Sequence, residues 1–81
     1  MKIDFTDRVL DALEDAPASV QKAFRKQLRF LAVNLQHPSL RAKKYDIAHD
    51  LWQARVNDDW RFYFKIVGDT YRLEEIKKHP K

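Results

Sequence analysis

Apolar residues recur in this chain with two different periods, and the change from one to the other divides it. Ile3 and Phe5 alternate with Lys2 and Asp4, which predicts a short strand, and Thr6-Asp7 can end that strand by capping a helix that starts near Arg8. Val9, Leu10 and Leu13 give this helix one apolar side. Pro17 suits the first turn of a second helix, where its missing N–H would be unpaired in any case. In that second helix Val20, Phe24, Leu28, Leu31 and Leu35 recur at spacings of three and four, opposite a stripe of Lys22, Arg25, Lys26 and Arg29. The pair reads as a helical hairpin. His37-Pro38-Ser39 stops it, because the residue before proline is pushed out of the α region, and residues 40–50 read as a long connecting loop carrying Arg41, Lys43 and Lys44.

Beyond Leu51 the period is two. Trp52, Ala54 and Val56 alternate with Gln53 and Arg55, Asn57-Asp58-Asp59 supplies a turn, and Trp60, Phe62, Phe64 and Ile66 alternate with Arg61, Tyr63 and Lys65. Gly68, the one glycine of the chain, stands in a second turn where a positive φ is needed, and a last strand starts at Tyr71. There the apolar parity changes between Leu73 and Ile76, which predicts a β-bulge at Glu74-Glu75. With the bulge, Lys77 and His79 share the face of Arg55, Arg61, Tyr63 and Lys65. Without it, His79 shares a face with Leu73.

Eighty-one residues at 44% hydrophobic content make one domain, residues 1–81, of α+β class: an N-terminal strand and a two-helix hairpin packed on an antiparallel β-meander. No cysteine is present, so no disulfide or thiolate site contributes. Sixteen Lys and Arg against twelve Asp and Glu give a net charge of +4, which favours an anionic partner such as nucleic acid or an acidic protein segment. The absence of a signal-peptide pattern and of a long apolar run points to a soluble, cytoplasmic protein.

His37, His49 and His79 lack the short spacings that bring two ligands to one metal, and a single glycine rules out a Gly-rich phosphate loop. No metal or other cofactor is expected. What remains is phosphodiester cleavage without metal, in which a guanidinium stabilises charge on the phosphate and a histidine or lysine moves a proton. Arg61 and His79 are the best pair for it. The bland account is that a sheet with one buried face must carry polar residues on the other, and both accounts fit the residues.

The order of strand, two helices, basic loop and meander, with Leu51-Trp52-Gln53-Ala54-Arg55-Val56, Asp59-Trp60-Arg61-Phe62-Tyr63-Phe64 and a late histidine, resembles the RelE/ParE superfamily of bacterial toxins over nearly the whole chain. The resemblance implies a toxin of a type II toxin-antitoxin system, a ribosome-dependent endoribonuclease that cuts mRNA by 2′-OH attack. It assigns Arg61 to the phosphate and His79 to general acid or base work. Lys43 and Lys44 fall where members place catalytic or RNA-binding basic residues, so Lys44 joins Arg61 and His79 as a catalytic candidate. Arg41, Lys43, Arg55, Lys65 and Lys77 are the candidates for holding RNA. The expected partners are a cognate antitoxin, the ribosome and mRNA. A ParE-like inhibitor of DNA gyrase and a catalytically weak antitoxin-binding module are the alternatives on the same scaffold. The resemblance departs after the histidine, where Pro80 and Lys81 stand in place of an aromatic residue.

Overall fold

A computed structural model describes residues 1–79, and positions 80 and 81, where the departure after the histidine falls, lie outside the described residues. Five strands and two helices follow in the order β1 (Lys2–Phe5), α1 (Asp7–Asp15), α2 (Ala18–Val33), β2 (Lys43–Asp46), β3 (Leu51–Arg55), β4 (Trp60–Val67) and β5 (Thr70–Lys78). They form one sheet of order β1-β5-β4-β3-β2, in which β1 runs parallel to β5 and the remaining pairs are antiparallel. This is the expected strand, helical hairpin and meander.

The local signals act as their chemistry requires. Thr6 caps α1 by accepting from the Val9 N–H, and its hydroxyl donates to the Leu73 carbonyl at 2.7 Å, so one side chain ends β1, starts α1 and ties both to β5. Pro17 stands at the N-cap of α2 rather than inside its first turn. Gln21 Nε2 donates to the carbonyls of Leu13 and Ala16 at 2.9 and 3.2 Å, satisfying the end of α1 from the next helix. Gly68 has φ +60°, as its turn demands.

Val9, Val20, Phe24, Leu28 and Leu31 of the helices pack with Ala54, Phe62, Phe64, Tyr71, Leu73 and Ile76 of the sheet. The Phe24 and Phe62 rings meet edge to face at 5.2 Å. Trp52 and Trp60 pack against this core from its margin. Leu10 departs from the expected apolar side of α1, being exposed while Ala12 and Leu13 turn inward. No helix among the described residues is long and apolar enough to cross a membrane.

Two further features differ from the sequence expectation. The second helix ends at Val33, not at His37-Pro38: Asn34 leaves the helical region at φ −160°, and its Oδ1 accepts from the Gln36 N–H at 2.9 Å. An Asn side chain that binds the backbone two residues on competes with the helix. The loop of residues 40–50 also contains a strand, because Lys43 and Lys44 pair with Gln53 and Trp52. This edge strand has one neighbour and mostly exposed side chains, so no alternation of apolar residues marks it.

Candidate functional site

The bulge of β5 decides what the polar face contains. Tyr63 pairs with Glu75 and Phe64 with Leu73, so Glu74 is the extra residue on β5. This is the expected bulge. It returns Ile76 to the core beside Phe62 and sets Lys77 opposite Arg61, which in turn pairs with Arg55. The backbone N–H of His79 donates to the Asp59 carbonyl at 2.7 Å, carrying the end of β5 back to the β3–β4 turn.

On this face a hollow of about 220 Å³ is lined by Arg41, Lys43, Gln53, Ala54, Arg55, Arg61 and His79. Three arginines, one lysine and one histidine therefore line one hollow, supplied by the loop before β2, by β2, β3 and β4, and by the end of β5. Arg61 is the most fixed. Its Nη1 donates to the carbonyls of Asn57 and Trp60 at 2.6 and 2.9 Å, which uses part of a five-donor fork and leaves the rest for an anion. Those carbonyls are held by the turn itself, since Asn57 Oδ1 accepts from the N–H groups of Asp59 and Trp60, each at 2.9 Å.

Arg55 forms an ion pair with the exposed Asp58. The position of Arg41 depends on its neighbour: Leu40 is fully buried, and its carbonyl accepts from the Arg55 N–H at 2.8 Å. Arg41 itself has φ +46°, in the left-handed region, which costs a non-glycine residue on the order of 1 kcal/mol. The buried Gln27 supports both walls by donating to the carbonyls of Ser39 and Arg55.

The structure does not bring Lys44 to this hollow. Lys44 pairs with Trp52 in register and stands over the Trp52 ring at 5.4 Å, with Asp50 as its ion-pair partner. Trp52 packs against the core, so Lys44 lies on the opposite face of the sheet from Lys43 by strand alternation. Lys65 shares the polar face but sits toward the far end of β4, opposite Arg72. Lys77 stands over the Tyr63 ring at 5.1 Å and 4.0 Å from Glu75. The basic stripe of α2 is solvent-exposed on a helix that packs against the other face.

A second hollow, of about 290 Å³, adjoins the first at His79 and is lined also by Tyr45, Tyr63, Lys77 and Lys78. Tyr45 carried no signal in the sequence, because the strand that holds it is polar and short. A register shift between Lys44 and Asp46 sets it within β2 as the extra residue. In the turn that follows, a ring nitrogen of His49 lies 2.8 Å from Asp46, and this hydrogen bond holds the Asp46 carboxyl below its ordinary value.

No family model and no curated protein matches this chain. Solved structures do. The chain is similar to the YoeB/ParE toxin from Agrobacterium tumefaciens, with a TM-score of 0.81 at 15% identity over 99% of this chain and 100% of that one. It is similar to a chain of the archaeal RelE-RelB complex from Pyrococcus horikoshii, at TM-score 0.78 and 17% identity over 95% and 92% of the two chains. A chain of the heterotetrameric YoeB-YefM toxin-antitoxin complex from Staphylococcus aureus matches at TM-score 0.77 and 14% identity over 99% and 98%. The chain thus has the RelE-like fold, over essentially its whole length.

Proposed function

We propose that this protein is the toxin of a type II toxin-antitoxin pair and that it cuts mRNA on the ribosome through the hollow between Arg61 and His79. The observation that carries the reading is the convergence of Arg41, Lys43, Arg55, Arg61 and His79 on one concavity. Arg55 is met by Asp58 on the protein, and basic residues that line one hollow repel one another. A phosphodiester relieves that repulsion.

The 2′-oxygen of the nucleotide before the cut attacks phosphorus, its proton passes to solvent, and the bond from phosphorus to the 5′-oxygen breaks. His79 gives a ring proton to the departing 5′-oxygen and regains one from solvent. The products are a 2′,3′-cyclic phosphate and a 5′-hydroxyl. Arg61, held by two backbone carbonyls, meets the charge that gathers on the phosphorane oxygens without having to reorganise. Arg41, Lys43 and Arg55 hold the flanking backbone. The net charge of +4 suits both an RNA substrate and an antitoxin with an acidic segment covering the same face.

Incubation with ribosomes programmed with a defined mRNA, followed by mapping of the ends, tests this reading. Cuts with cyclic phosphate ends, lost in Arg61→Ala and His79→Ala, support it. Intact mRNA together with trapped gyrase–DNA cleavage complexes would replace it with a gyrase inhibitor on the same scaffold.

A further inference from the structure

Tyr45 is a large aromatic side chain with 54% of its surface exposed, and it is held in place. Its ring meets the ring of Tyr63 edge-on at 5.0 Å and 67°. Tyr63 is only 3% exposed, its hydroxyl accepts from Gln53 Nε2 at 3.1 Å, and Lys77 stands over its ring. Tyr63 therefore has no face to offer a ligand, and its role is to brace Tyr45. The bulge in β2 sets Tyr45 against the polar face of the sheet.

Resting on the endoribonuclease reading, we propose that Tyr45 is the platform on which the nucleobase next to the cut phosphate stacks. The hollow of Tyr45, Tyr63, Lys77, Lys78 and His79 shares His79 with the phosphate hollow. Within a nucleotide the base and its phosphate are separated by one sugar, so a base site and a phosphate site with a common wall fit the two ends of a single residue of RNA. Lys77, on the polar face opposite Arg61, supplies charge for the next phosphate along the strand. An exposed ring on a braced support offers a π-face to any base, and such stacking tolerates sequence because every base has one. It also needs an unstacked strand, as single-stranded mRNA provides.

Single-turnover cleavage on programmed ribosomes, with an intact mRNA and with two mRNAs abasic on either side of the cut, tests the proposal against Tyr45→Ala and Tyr45→Phe. Tyr45→Ala should slow cleavage of intact mRNA by roughly 10- to 100-fold, the loss expected for one stacked base. It should cause no further loss on one of the two abasic mRNAs, while Tyr45→Phe keeps cleavage within about threefold of the parent because stacking needs the ring and not the hydroxyl. Equal losses on intact and both abasic mRNAs would overturn the assignment, since Tyr45 would then act through something other than a base. An unchanged rate in Tyr45→Ala with an active parent would overturn it and leave the endoribonuclease reading standing. A parent that cuts no mRNA defeats that reading and this one with it.

Discussion

Gln27, buried in α2, donates from Nε2 to the carbonyl of Arg55 at 2.7 Å, and the same nitrogen donates to the carbonyl of Ser39 at 2.9 Å. Ser39 Oγ returns a hydrogen bond to Gln27 Oε1 at 3.0 Å. One amide thus fixes the separation between the loop that carries Arg41 and the strand that carries Arg55, from the far side of the sheet.

Gln27→Leu keeps the volume and removes every one of these bonds, leaving polar groups without partners. A loss of about 2–3 kcal/mol is expected, which lowers the melting temperature by roughly 10–20 °C in a domain of this size. Denaturant unfolding with an unchanged m-value checks that the loss lies in the folded state.

Arg61→Ala should slow mRNA cleavage by roughly 100- to 1,000-fold, as removal of an oxyanion donor does. His79→Ala should cost roughly 100- to 10,000-fold. Lys44→Ala, on the other face with Asp50 and Trp52, should leave the rate close to the parent's and cost less than about 1 kcal/mol of stability. Single-turnover rates for the three variants, beside their unfolding curves, check the assignment; a Lys44→Ala variant as slow as Arg61→Ala would contradict the geometry.

Arg41 combines a left-handed backbone with a place in the hollow lined by Arg55, Arg61 and His79. Arg41→Gly relieves the first and destroys the second. The variant should be as stable as the parent or more stable by up to about 1 kcal/mol, yet cut mRNA more slowly. Arg41→Ala, which keeps the strain and loses the charge, should be slow without the gain.

The bulge gives a pair of opposed length changes. Deleting Glu74, the unpaired residue of β5, leaves Ile76 facing the core and His79 facing Arg61, so the protein should fold and retain cleavage. Inserting one alanine after Ile76 moves Lys77 and His79 to the core face, because a shift of one residue exchanges the two sides of a strand. That variant should lose cleavage. Rates and circular dichroism of both chains check the contrast.

The sequence by itself determined the elements whose residues repeat a pattern. Val20, Phe24, Leu28 and Leu31 announce a helix, the Trp52 to Ile66 alternation announces a hairpin, and the parity change from Leu73 to Ile76 announces the bulge that the register displays. These signals are legible because burial on one face writes a period into the chain. The pairing of Arg61 with His79 on one face followed from the same arithmetic.

Only the tertiary structure decided the rest. The strand Lys43–Asp46 has one hydrogen-bonded neighbour and exposed side chains, so no apolar period marks it. Its register with β3 is what sends Lys43 toward the hollow of Arg61 and His79, Lys44 toward Trp52 and Tyr45 onto Tyr63. Gln27 and Asn34 act through hydrogen bonds to backbone groups, which any polar residue in the sequence can be imagined to make. Patterns of burial are a property of one element and can be read along it, whereas an edge register or a buried amide's partners exist only once distant segments have come together.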